Sequence, residues 1–344
     1  MNSGAVKAIA RAWVNGYAVK TRGYQGAFFT GSVCDVGDSD QMSEFSDVDL
    51  VMVWEKTPEN IPRGKLLYDG VIFDISHITF DDLGTHGSIL SNYHRAYHFS
   101  RENVLHDPTG RLSLLQNMVS AEFAHPEWIR KRIDDAVRHD NNYLDRCQEL
   151  YESSAPLSNQ AGIAAFAAGI MVHVILAAAL RNPTVRKRYV AARSVLSDRG
   201  NIGYYQRLLD FLGCRDMSKP HVIAHLASLG ETFDAAVEYF STPYMFASDI
   251  GSAGRTIAIG GSQDLINRGL HREAVFYMVA TYSRCLHVLR VDAPERVFVR
   301  HEANLRKFLS DLGLGSKDQR LQRVEEIRSE LPTLTVAAEG IAGL

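Results

Sequence analysis

The sequence predicts an α+β fold in which a small sheet-bearing domain leads and an all-helical domain follows. Three apolar runs of strand length fall between residues 27 and 78. After about Glu122 the strand signals stop, and apolar residues recur at helical spacing for the rest of the chain. With 344 residues, 46% of them hydrophobic, the chain can bury two cores. The boundary is read near residues 121–126, giving domains 1–122 and 123–344.

In chain order, Val6, Ile9, Ala10, Trp13, Val14 and Tyr17 form one stripe of an amphipathic helix. This start lacks the apolar core of a secretory signal. Strands are expected at Ala27–Thr30, Val48–Trp54 and Val71–Ile78, with a fourth, short one at Asn103–His106. Thr79 with Asp82 makes a capping box that opens a helix through Leu90, and Arg111–Ser120 follows the Asp107–Gly110 turn as another helix. Pro126 suits a first helical turn. Further helices are predicted at 159–180, 184–198, 202–212, 219–240, 269–290, 294–313 and 316–330. Asn182-Pro183 reads as a helix start and Gly213 as a C-cap. The glycine-rich stretch from Ser252 to Gly269 lacks a phosphate-loop lysine and reads as a mobile loop between helices, with a substrate lid as the alternative.

Composition narrows the function. The net charge is −3, with no global basic excess to neutralise a phosphate backbone, which argues against nucleic acid as partner. Cys34, Cys147, Cys214 and Cys285 are far apart and form no C-x-x-C pair, so the reading is a reducing, cytoplasmic setting without disulfides or zinc. His94 and His98 share helical spacing, and a core or solvated pair is the expected reading rather than metal ligands. Ala161–Leu180 carries no formal charge, and Arg181, Arg186, Lys187 and Arg188 follow it. It is long enough for a membrane span, but its alanines and the central His173 favour a buried helix of the second domain.

The chemistry concentrates in Thr30-Gly31-Ser32 and Ser46-Asp47-Val48-Asp49-Leu50-Val51. Glycine lets the chain turn sharply as a strand ends, and Ser32 offers a hydroxyl and an N–H beside that turn. If a helix begins there, its free N–H groups face an approaching anion such as a triphosphate. Asp47 and Asp49 lie two apart on a predicted strand, so both carboxylates face one side. They repel unless a cation lies between them, and Mg²⁺ prefers carboxylates together with phosphate oxygens. Asp74 sits in the apolar run Ile72-Phe73-Asp74-Ile75, where a charge needs a partner, and a shared metal would be one. The plain alternative is a turn at Gly31-Ser32, a second turn at Ser46-Asp47 and an edge strand that turns Asp49 to solvent.

This pattern resembles the nucleotidyltransferase superfamily that includes DNA polymerase β and the antibiotic nucleotidyltransferases. An apolar residue, Gly and Gly or Ser, then Asp-apolar-Asp on the next strand, then an acidic residue on a later strand, is matched by Gly31-Ser32, Asp47-Val48-Asp49 and Asp74. The resemblance spans about residues 26–110, and the helical second half is similar in layout to the aminoglycoside- and lincosamide-modifying branch. Two features depart from the pattern. The gap Val33–Ser46 is slightly longer than usual, and Val33-Cys34-Asp35 stands where many members carry an arginine. Asp35, Asp38, Asp40 and Glu44 add acidic charge to that loop.

The resemblance implies a mixed-sheet nucleotidyltransferase domain with an all-helical domain closing the cleft. It also implies transfer of a nucleoside monophosphate from ATP or another nucleoside triphosphate to a small hydroxyl-bearing acceptor, with release of pyrophosphate. Gly31 and Ser32 would contact phosphates. Asp47, Asp49 and Asp74 would be the catalytic and metal-binding residues, holding two Mg²⁺ ions. Glu149 or Glu152 is an alternative base, and Arg186, Lys187, Arg188 and Arg193 are candidates to bring positive charge to phosphates, or else form a solvated face. A protein or RNA end as acceptor, or a nucleotide sensor that has lost turnover, are the other readings.

Overall fold

In a computed structural model the structure describes residues 1–59, 61–153 and 155–344. It separates into two compact units, Met1–Arg132 with Leu180–Thr184, and Ile133–Ala179 with Val185–Leu344. The first carries a small mixed sheet and the second is helical, so the class is α+β.

The first unit begins with α1 (Ser3–Trp13), capped by Asn2, whose side chain accepts from the Ala5 amide. Five strands follow: β1 (Tyr24–Thr30), β2 (Val48–Trp54), β3 (Gly64–Tyr68), β4 (Val71–Thr79) and β5 (Val104–His106). Their order in the sheet is β3-β4-β2-β1-β5. β2 and β4 pair in parallel, and the other neighbours are antiparallel.

Alternation along the strands supplies two apolar faces. Val48, Leu50, Met52 and Trp54 of β2 join Phe73 and Ile75 of β4, Val6, Ala10 and Trp13 of α1, and Val14 just after it. Phe28 and Val53 face the other way, packing with helices that follow β4. Those helices are α2 (Phe80–Leu83), α3 (His86–Ser91), α4 (Ala96–Phe99) and α5 (Arg111–Glu122). Thr79 and Asp82 form the expected capping box, but the helix does not continue to Leu90. Gly84 takes a positive φ of 83°, and Thr85 caps a new helix, α3. His94 and His98 have ring centroids 5.8 Å apart. Burial, then the neighbouring His94, pushes the His98 imidazole down to about 3, so it is a neutral core group.

The edge strand β3 was not expected from the sequence. It forms a hairpin with β4 through Asp69-Gly70, both at positive φ (50° and 78°). That is the geometry a type I′ turn requires, and Asp-Gly is among its strongest sequence signals.

α6 (Pro126–Glu152) opens at Pro126, and the division between the units falls within it. At the heart of the second unit is α7 (Leu157–Ala178). It is long and apolar enough to cross a membrane, but 78% of its most apolar window is buried. Around it in the same unit lie α8 (Arg188–Asp198), α9 (Ile202–Leu212), α10 (Lys219–Tyr239), α11 (Ser252–Arg255), α12 (Gly261–Asn267), α13 (His271–Asp292), α14 (Glu295–Asp311) and α15 (Lys317–Ala342). Gly213 is the expected left-handed C-cap of α9.

Three expectations for this unit are corrected. Residues 252–269 are not a loop: α11, a π turn at Thr256–Gly260 and α12 make them largely helical. Ile257, Ala258, Leu265 and Ile266 are buried, and that burial outweighs the poor helix propensity of the glycines. α15 runs on through Pro332, because Ile327, Leu331, Leu334 and Ala338 anchor it on both sides of the missing amide. Arg188 is not on a solvated face. It is buried 3.9 Å over the Phe276 ring and donates to the Val185 carbonyl, in space that Gly169 leaves open. Arg193 faces Glu273 at 3.4 Å.

Candidate active site

Register brings the sequence-predicted residues into one line across four strands. Thr30 of β1 pairs with Asp49 of β2, Asp49 with Asp74 of β4, and Asp74 with Lys65 of β3. Paired residues in neighbouring strands project from the same face. Asp47 shares that face because it lies two residues before Asp49. Val51, expected on the buried side away from the carboxylates, has the parity of Asp49 and packs with Phe28 and Val53.

Gly31 follows Thr30 with φ +68° and opens a five-residue 3₁₀ turn, Gly31–Asp35, rather than an α-helix. A Cβ at Gly31 would lie 1.8 Å from Asp49 Oδ2. Glycine is required here twice over, by the left-handed backbone and by the carboxylate against it. Ser32 is the second residue of the turn and is partly exposed.

The turn is held from below by a residue the sequence reading placed in a helix start. Asn182 belongs to the first unit, and its Nδ2 donates to the Gly31 carbonyl at 3.0 Å and to Asp35 Oδ2 at 2.6 Å. Tyr97 donates its hydroxyl to Asp35 Oδ1, and the Arg101 guanidinium stands 5.0 Å from the Tyr97 ring centroid. Two other loop acids are also engaged. Asp38 pairs with Lys7 at 2.8 Å, and Asp40 accepts from the Gly37 amide.

Asn182 is buried, so replacing it with alanine removes two hydrogen bonds with little access for water to restore them. Asn182→Ala is expected to cost roughly 1–3 kcal/mol. Asn182→Asp is expected to cost more, because it sets a second carboxylate against Asp35 and the Gly31 carbonyl. Denaturant unfolding of both variants checks the order; equal stability of wild type and Asn182→Asp at neutral pH would show that the tether does not matter.

Asp74 does have a partner within the chain, Lys65. Lys65 Nζ donates to Asp74 Oδ2 at 2.7 Å and to Asp47 Oδ2 at 2.8 Å, with its side chain only 4% exposed. Sequence reading missed Lys65 because it missed β3; the Asp69-Gly70 hairpin signal would have placed Gly64–Tyr68 beside Asp74. No comparable signal marked Asn182 or Tyr97.

Asp49 is the electrostatically strained member. Burial, then the Asp47 and Asp74 carboxylates, pushes its carboxyl up to about 8, against the opposing pull of Lys65. Because the folded value lies above the unfolded one near 3.8, this group's contribution to stability is fully present below about pH 4. It is lost as pH rises toward 8. In chelator, Asp49→Asn should therefore melt several degrees above wild type at pH 8, with the gap closing by pH 5. Calorimetry reads this directly; a gap that stays constant from pH 5 to 8 would mean that Asp49 ionises normally.

The donors fit a hard divalent cation in kind. They are carboxylate oxygens only, they crowd one another, and a cationic ammonium already bridges two of them. Among the described residues, no group of three or more His, Cys, Asp or Glu side chains is arranged to hold a metal ion as it stands. A divalent ion would need the three aspartates to turn together and would compete with the ammonium for Oδ2 of Asp47 and of Asp74. Glu149 and Glu152, the alternative bases, belong to the other unit, where Glu152 accepts from Gln148 at 3.2 Å.

Comparison with family models, with curated proteins and with solved structures finds no match. The chemistry of the site is therefore read from its own geometry.

Proposed function

We propose that this protein is a metal-dependent nucleotidyltransferase. It transfers a nucleoside monophosphate from ATP or another nucleoside triphosphate to a hydroxyl of a small molecule, an antibiotic among the candidates, and releases pyrophosphate. The observation that supports this most is the pairing of Asp49 with Asp74 on neighbouring strands, with Asp47 on the same face and the Gly31 turn packed directly against Asp49. Residues 43 positions apart in sequence meet in the order the superfamily resemblance requires.

In this reading Asp47, Asp49 and Asp74 hold Mg²⁺, two ions in the full complex. When bound, the metal neutralises phosphate oxygens and acidifies the acceptor hydroxyl. The chain's own residues do the rest. Gly31 lets the phosphates approach the backbone, and Ser32 offers its hydroxyl and N–H to them. Arg101, next to the turn through Tyr97, adds positive charge where the loop lacks the usual arginine. Asp74 accepts the acceptor's proton. The freed oxygen bonds to the α-phosphorus while the bond from that phosphorus to the bridging oxygen breaks, and pyrophosphate leaves with the electron pair. The four cysteines are free thiols, which supports a reducing, cytoplasmic setting.

One observation favours a second reading, a nucleotide-binding protein without turnover: Lys65 already bridges Asp47 and Asp74 with its ammonium. Pyrophosphate release separates the two. Labelled nucleoside triphosphates, Mg²⁺ and a panel of hydroxyl compounds including aminoglycosides and lincosamides should give release with wild type and none with Asp49→Asn. Mg²⁺-dependent nucleotide binding without release from any acceptor supports the sensor. Nucleotide affinity that is indifferent to Mg²⁺ and to Asp49→Asn rules out the transferase, and absence of nucleotide binding rules out both.

A further inference from the structure

Lys65 does more in this site than complete a surface ion pair. Its side chain is almost fully enclosed, and its single ammonium bridges carboxylates on two different segments, Asp47 before β2 and Asp74 in β4. Its position is fixed by register, directly opposite Asp74. β3 is an edge strand, so the lysine stem is carried by backbone bonded on one side only. A lysine ammonium is a point charge on a flexible four-carbon stem, suited to two positions.

We propose that Lys65 is the resident cation of the carboxylate cluster and competes with the divalent ion for Asp47 and Asp74. This rests on the metal-dependent reading above. While no divalent ion is bound, the ammonium keeps the aspartates from repelling one another. A divalent ion and the ammonium cannot share those oxygens without strong mutual repulsion, so entry of the metal expels the lysine. Expulsion is unfavourable on its own, because a buried cation must find new partners. The oxygens of a triphosphate are such partners. Lys65 thereby makes metal binding depend on nucleotide: the metal enters weakly alone and strongly with the triphosphate, and the displaced ammonium turns to the phosphates. The site is thus protected from loading metal without substrate.

The experiment measures Mn²⁺ binding by electron paramagnetic resonance, with and without a non-hydrolysable ATP analogue, for wild type, Lys65→Met, Lys65→Arg and Asp74→Asn. Methionine keeps an apolar stem and removes the charge. Wild type should bind Mn²⁺ weakly alone and at least ~10-fold tighter with the analogue, a factor worth about 1.4 kcal/mol. Lys65→Met should bind Mn²⁺ alone at least ~10-fold tighter than wild type and depend little on the analogue, whereas Lys65→Arg should behave as wild type. Unchanged or weaker Mn²⁺ binding in Lys65→Met, with loss of binding in Asp74→Asn, overturns the competition and leaves the metal site standing. Absence of Mn²⁺ binding in every protein, analogue or not, overturns the metal reading itself. If Lys65→Met does not fold, acylation of Lys65 in wild type, followed by mass spectrometry, decides. Saturating Mn²⁺ should speed its modification several-fold relative to Lys7, and an unchanged rate overturns the proposal.

Discussion

Asp74→Asn is expected to lower single-turnover nucleotidyl transfer by about 10²-fold or more, the range of a positioned acid–base group. The substitution keeps the shape of the side chain and removes the charge that receives the proton. It also takes away one of the two anions held by Lys65, so the ammonium leans wholly on Asp47. Nucleotide binding should fall much less, because in the proposed function the phosphates go to the Gly31-Ser32 turn, which is anchored separately through Asn182 and Tyr97. The measurement is a single-turnover rate across pH for Asp74→Asn, Glu149→Gln and Glu152→Gln. Near-normal turnover in the first, with collapse in either glutamine variant, reassigns the base and makes Asp74 a partner for Lys65 only.

Gly31→Ala carries the second large effect. Its methyl group would stand 1.8 Å from Asp49 Oδ2, and the φ of +68° is strained for any residue with a Cβ. The backbone strain alone is roughly 1–2 kcal/mol. The clash is relieved only by moving Asp49 or the turn, and either movement dismantles the site. Metal-dependent nucleotide affinity should fall at least ~10-fold, by the scale of one 1.4 kcal/mol step, and Gly31→Val should abolish it. A double-mutant cycle separates the two causes. Asp49→Ala removes the colliding carboxylate, so Gly31→Ala should destabilise the Asp49→Ala background less than the wild type. Normal nucleotide binding by a folded Gly31→Val protein would make the turn structural only.

Much of this was legible in the sequence for a physical reason. Asp47 and Asp49 are adjacent in strand period, and Gly31 ends an apolar run, so local pattern alone placed them. Val48–Trp54 was read with its observed ends because it is an unbroken apolar run after Asp49, and its first residues alternate between core and site. Asp74 was recognised as needing a counter-charge, and it has one from the next strand, Lys65. Lys65 lay outside that reading because Gly64–Tyr68 is an edge strand with Leu67 and Tyr68 exposed, and it shows none of the apolar alternation used to find the others. Asn182 was hidden differently. Its value lies in a contact 151 positions away, which no local signal encodes, and Asn-Pro is a fair helix-start signal on its own terms. The Ser252–Gly269 stretch misled because glycine counts weigh backbone freedom and ignore the burial of Ile257, Leu265 and Ile266.

The short return of Leu180–Thr184 to the first unit has a consequence for how this gene can be cut and recombined. A cassette taken from the amino terminus to anywhere in α6 would omit Asn182 and deliver a sheet without the peg that fixes its Gly31–Asp35 turn. Conversely, a helical cassette beginning after α6 would carry that peg with nothing to hold. The two units are therefore interlaced in the chain rather than strung along it. Exchange of either against a foreign counterpart requires two junctions in register, so they are expected to be inherited as one block.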